Sequence, residues 1–274
     1  MTKAKRMMQE NIKLIDLIIE LVDARVPLSS RNPDIDELGK QKARLILLNK
    51  ADLAEELWND KWLKYFENKG YSALKINSKK GGRMKSVYDI IDEACKEKRE
   101  RDKRKGILNR PVRAMVVGIP NVGKSTFINT IAGKASAKTG NKPGVTKGKQ
   151  WIRLNKNIEL LDTPGILWPK FEDQQVGLNL ALIGSIKDEL LNVEELSLEL
   201  ISFLLTNYPH ALSEKYKIEE KEPKNNLKAL QEIAKNRHCI ERGNELDLLK
   251  ASRLLLDDFR NGRLGRITLE RYIP

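Results

Sequence analysis

Apolar residues follow two patterns along this chain, and the change from one to the other divides it. Through the first two thirds, short apolar runs bounded by turn residues alternate with segments of helical period. Leu14 to Val22, broken only by Asp16 and Glu20, predicts a strand buried on both faces, and Arg44–Leu48, Ala73–Ile76 and Ala114–Val117 repeat the type. Lys149–Leu154 and Ile158–Leu161 predict a hairpin. Met1–Lys13, Asp34–Lys42, Leu53–Asn68, Met84–Lys105 and Thr126–Ile131 predict the intervening helices. In Leu53–Asn68, the residues Leu57, Trp58, Trp62, Leu63 and Phe66 share one face, which assigns the tryptophans to the core. From about Gly177 only the helical period remains, as in Leu196, Leu200, Phe203 and Leu204, with Pro209 and Pro223 as breaks. The expected fold is α/β: a mostly parallel sheet with flanking helices over residues 1–177, then a small all-helical domain over 178–274.

At 274 residues the chain can build a core that needs no covalent staples, and Cys95 and Cys239 fit neither a disulfide framework nor a zinc spacing. Both predict inert thiols in a reducing cytosol. No apolar run approaches the roughly 18 residues of a membrane span, and the opening lacks a signal-peptide pattern, so the expected location is cytoplasmic with no membrane contact. Charge changes the picture further. The formal net charge of +13 is uneven: acids and bases nearly cancel after Lys187, whereas Lys96–Arg113 and Lys134–Lys156 are strongly basic, the second without an acid. Such segments recruit polyanions, nucleic acid foremost, through counterion release. The arginines of Arg260-Asn261-Gly262-Arg263-Leu264-Gly265-Arg266 are further candidates for RNA phosphates.

Five short stretches carry the candidate chemistry. Gly118-Ile119-Pro120-Asn121-Val122-Gly123-Lys124-Ser125 stands between a strand and a helix, the setting of a phosphate-binding P-loop. Its glycines let successive N–H groups and the helix N-terminus face an anion, so Pro120, Asn121, Val122, Gly123, Lys124, Ser125 and Thr126 are the expected phosphate-binding residues. Lys124 brings a mobile charge to the β- and γ-phosphates and Ser125 a hydroxyl to Mg2+. Asn49-Lys50-Ala51-Asp52, after the strand Arg44–Leu48, has the N-K-x-D pattern. Its Asp52 carboxylate can accept two N–H donors that guanine has and adenine lacks. Asn77-Ser78-Lys79, after the next strand, is placed to close over the guanine with a backbone N–H. Thr146, in a loop rich in glycine and lysine, is the candidate switch hydroxyl for Mg2+ and the γ-phosphate. Asp162-Thr163-Pro164-Gly165 is a D-x-x-G element: Asp162 holds Mg2+ through water and the Gly165 N–H reads the γ-phosphate. GTP, GDP and Mg2+ are the implied ligands. Asp23, Arg25 and Arg31, just beyond the first strand, are additional candidates for ligand-facing groups.

The base-reading stretches precede the phosphate-binding ones, a circular permutation of the usual order. Val22-Asp23-Ala24-Arg25-Val26-Pro27 and the motifs above, in this order, resemble the bacterial ribosome biogenesis GTPase A family over nearly the whole chain. The resemblance implies a circularly permuted P-loop GTPase domain and hydrolysis of GTP that is slow alone and stimulated by the ribosomal particle. It also implies a helical C-terminal domain that contacts rRNA during late assembly of the large ribosomal subunit; a monomer is expected. Lys124, Thr146 and Gly165 are then the catalytic candidates. Two departures bear on turnover. Ile166 stands where many GTPases place a water-orienting glutamine, and the histidine of a Gly-His-Met turn that the family implies near the N-terminus is not in Met1-Thr2-Lys3-Ala4-Lys5. His210 and His238 lie far from every motif. The alternative is therefore a nucleotide-gated RNA-binding chaperone with negligible hydrolysis. Asn121 is a candidate ligand for K+, an ion that stands in for an arginine finger in related P-loops.

Overall fold

A computed structural model describes residues 3–81, 84–107, 110–133, 150–162, 173–218 and 225–271. Thr146, Gly165 and Ile166 lie outside them. Among the described residues six strands form one sheet: β1 (Leu17–Asp23), β2 (Ala43–Asn49), β3 (Ser72–Lys75), β4 (Val112–Val117), β5 (Gln150–Asn155) and β6 (Ile158–Asp162). Their spatial order is β3-β2-β1-β4-β6-β5, parallel throughout except for β5, which returns antiparallel on β6 as a hairpin. A strand covered on both faces can be apolar at nearly every position, and β1 is buried at all of its residues, Glu20 and Asp23 included. The parallel strands end at one edge of the sheet. There they deliver Asp23, Asn49, Ile76, Gly118 and Asp162, the place where open α/β sheets hold ligands.

Helix α1 (Lys3–Ile12) precedes β1, and α2 (Pro33–Leu38), α3 (Glu56–Asn68), α4 (Met84–Ala94), α5 (Lys96–Arg104) and α6 (Lys124–Ala132) lie between strands. Three details differ from the periodic pattern. Leu14 does not enter β1: it donates its N–H to Asn11 O in the turn that closes α1, and it is 48% exposed. Leu57 is 63% exposed, because Ala51–Leu53 forms a tight separate turn and α3 starts only at Glu56, leaving Trp62 and Phe66 as its buried apolar positions. The expected helix Met84–Lys105 is interrupted at the buried Cys95 (φ −105°, ψ 8°), although hydrogen bonds from Cys95 N to Ile91 O and from Arg99 N to Cys95 O carry across.

The chain divides into two compact units, Met1–Glu172 with Thr268–Pro274, and Asp173–Ile267. The boundary expected at 177/178 falls inside α7 (Gln174–Leu182), and the last residues group with the first unit. The second unit adds α8 (Val193–Asn207), α9 (Pro209–Tyr216), α10 (Asn226–Asn236) and α11 (Leu248–Arg260). Asp173, Asn192, Asn225 and Asp247 cap α7, α8, α10 and α11 by accepting a backbone N–H from the first turn, as short polar side chains do at helix starts. Two arginines expected to face RNA are engaged inside this unit. Arg260 donates to the α7 carbonyls of Leu182 and Ala181 and pairs with Asp188, and Arg263 pairs with Asp257 and Asp258.

Candidate functional site

Between β4 and α6 the backbone makes a turn that side chains obstruct. Gly118 (φ 153°) leaves no room for a Cβ, which would lie 2.6 Å from Leu21 O, and at Gly123 (φ 102°) it would lie 2.5 Å from Asn49 Nδ2. Asn121 adopts the left-handed conformation at φ 59°. The loop so shaped runs into the N-terminus of α6, where the first-turn amides have no intrahelical acceptor and can meet an anion. Lys124 is buried and its ammonium donates to Gly118 O and Ile119 O, both at 2.9 Å, so the charge is held over the loop. Ser125 and Thr126 follow in the same turn, half-buried. Asp162 ends β6 in register with Val116, two residues before Gly118 on the neighbouring strand.

Asn49 joins this loop to the base side. Its Nδ2 donates to Val122 O at 2.7 Å, while its Oδ1 accepts the Ser78 N–H at 3.1 Å and the Ser78 hydroxyl at 2.8 Å. Thr130 of α6 closes the triangle by donating to Ser78 O at 2.8 Å. One buried carboxamide thus fixes three loops from different parts of the chain. Asn77 and Ser78, expected at the guanine, are occupied in building this frame: Asn77 Oδ1 accepts the N–H groups of Lys79 and Lys80, and Ser78 gives its own N–H and hydroxyl to Asn49. Lys50 is left-handed at φ 58°, and Asp52 follows half-buried in the Ala51–Leu53 turn, pinned by Ala51 N to Ile76 O and by Asn59 Nδ2 to Ala51 O.

Asp23, Arg25 and Arg31 do not face outward as ligand groups. Arg25 grips both oxygens of Asp23, at 2.9 and 2.8 Å, and Lys50 Nζ donates to the same carboxylate at 2.9 Å. Burial pushes the Asp23 carboxyl up, but the charges and hydrogen bonds of Arg25 and Lys50 outweigh it and hold the group well below the usual carboxylate range. Arg31 pairs with Glu20 and Asp36 and lies over the Tyr71 ring. The sequence flagged these positions, yet the missing signal was pairing: only the fold brings Lys50 onto Asp23. Ser125, half-buried at the start of α6, carries a hard oxygen of the kind Mg2+ takes together with phosphates. Among the described residues no group of three or more His, Cys, Asp or Glu side chains is placed to hold a metal ion.

A permuted sheet whose C-terminal edge carries a P-loop bolted to an N-K-x-D turn defines a P-loop GTPase. The family model described as 50S ribosome-binding GTPase matches residues 113–240. A ribosome biogenesis GTPase A from Bacillus cereus is 49% identical over 270 residues, covering 98% of this chain and 91% of that protein. Two solved structures of YlqF from Thermotoga maritima share the architecture. The GNP-bound form is 26% identical with a TM-score of 0.69, covering 98% of each chain. The GDP-bound form is 25% identical with a TM-score of 0.70, covering 97% of this chain and 99% of that one. The chain belongs to the ribosome biogenesis GTPase A family.

Proposed function

We propose that this GTPase is a cytoplasmic assembly factor that acts as a monomer on the precursor of the large ribosomal subunit and contacts rRNA through its basic surfaces. The observation that carries the reading is the Asn49 frame, which ties the P-loop to the N-K-x-D turn and the Asn77–Lys79 loop, in a chain 49% identical over 98% of its length to a ribosome biogenesis GTPase A. Here Asp52 pairs with guanine, and Lys124 with the loop amides holds the phosphates. Ser125 and Asp162 take Mg2+, while Thr146 and Gly165 sense the γ-phosphate. Asn121, held left-handed at the mouth of the loop, is the position for K+. The relatives solved with GNP and with GDP support two nucleotide states as the working cycle. Turnover of GTP measured with and without large ribosomal subunits, in K+ and in Na+, tests the assignment. Stimulation by subunits, stronger in K+, is the expected result. A near-zero rate under every condition leaves only a nucleotide-gated binder.

A further inference from the structure

Thr268–Arg271 belong to the first unit although the helical unit precedes them in the chain. Their contacts are specific. The Glu270 carboxylate accepts the N–H groups of Leu28 at 2.6 Å and Ser29 at 2.7 Å, and the Ser29 hydroxyl as well. Leu269 and Glu270 both donate their N–H to Arg25 O, at 2.9 and 3.2 Å. Thr268, fully buried, accepts the N–H of Glu55 at the start of α3, and Glu270 O accepts Trp62 Nε1 at 3.0 Å. Arg271 lies over the Trp58 ring.

These contacts grip both walls of one turn. On one side Ala24 N donates to Asn49 O at 2.9 Å, and Asp23, locked by Arg25, holds the Lys50 ammonium. On the other, Asn59 of α3 donates to Ala51 O. The tail bonds the backbone of Arg25 and the first turn of α3, so it fastens from behind the two elements that set Asn49–Leu53. A carboxylate receiving two backbone amides makes charge-assisted hydrogen bonds, among the stronger ones available to a protein.

We infer that Glu270 and Thr268 are positioning residues of the guanine site: by clamping the Ala24–Ser30 turn and the α3 start they hold Lys50 and Asp52 in place for the base, and so set how fast nucleotide leaves. The inference rests on Asn49–Asp52 being the guanine reader. The test displaces a fluorescent GDP analogue with excess GDP from the full chain carrying Glu270→Ala or the milder Ser29→Ala. Dissociation is expected to be roughly tenfold faster in Glu270→Ala and about threefold faster in Ser29→Ala, with both variants still folded at the assay temperature. In a Lys50→Ala background the Glu270→Ala change adds a smaller factor than in the wild type, because one of the routes from the clamped turn to the site, through Lys50, is already cut. An unchanged rate in Glu270→Ala, or the same factor on top of Lys50→Ala, overturns the proposal and makes the tail plain packing. Should Glu270→Ala not fold, Ser29→Ala carries the same comparison, and an unchanged rate there overturns the proposal equally. Unaltered GDP binding in Lys50→Ala alone overturns instead the guanine assignment beneath it.

Discussion

Asp23 shows how a single residue is legible in kind and illegible in role. A carboxylate at the end of a buried strand signals special chemistry, since an unpaired charge there costs several kcal/mol. Arg25 satisfies it from two residues away, but the second partner, Lys50, is distant in sequence and adjacent only in the fold. The same holds for Asn49: its place in N-K-x-D is plain from the letters, but its bonds to Val122 and Ser78 are tertiary. Because the folded Asp23 carboxyl is more acidic than an unfolded one, it stabilises the fold above the ordinary carboxylate pKa of about 3.9, and that stabilisation is lost as pH falls toward the folded value. Urea unfolding of the wild type and of Asp23→Asn should therefore differ by a constant amount from pH 7 to pH 5. Below about pH 4 the gap should narrow. A gap that widens as pH falls would show that the Asp23 group is not held ionised by Arg25 and Lys50.

At the scale of elements, local pattern worked where burial is two-sided and failed where it is not. The strands were readable because β1, β2 and β4 are apolar almost throughout, and the hairpin because its turn is short. Helix ends were not: Leu57 fits the α3 period but falls in the first turn, where the preceding tight turn directs it to solvent. Helix α5 is the extreme case of a segment that packing does not explain. None of its residues is buried, and Lys103 and Arg104 are exposed. A helix charged all round is not explained by core packing, and the proposed contact with rRNA gives it a role. Replacing Lys103 and Arg104 by alanine should leave the thermal midpoint nearly unchanged, since surface substitutions cost within about 0.5 kcal/mol. The slope of log affinity against log salt for ribosomal RNA should fall by about 2. An unchanged slope would remove α5 from the RNA surface.

Over the whole molecule, the order of the motifs was enough to reveal the permutation, because each motif carries its own structural context, and the sheet order β3-β2-β1-β4-β6-β5 places β4 beside β1, where the base-reading and phosphate-binding halves meet. The return of the C-terminal residues to the first unit left no trace in the sequence. Thr268–Arg271 form no repeat or motif, and a glutamate that clamps backbone amides looks like any surface glutamate until the Leu28–Ser29 turn is beside it. Both units are legible as classes, α/β and all-helical, while the division at Asp173 and Ile267 follows from contacts that no local window contains. The proposed function depends centrally on Asp52 telling guanine from adenine. Titration calorimetry of the full chain with GDP and with ADP, each with Mg2+, tests that most directly. GDP should bind, and ADP, which leaves the Asp52 carboxylate without its donors, should bind roughly 10⁴-fold more weakly. Equal affinity for the two nucleotides would contradict the account.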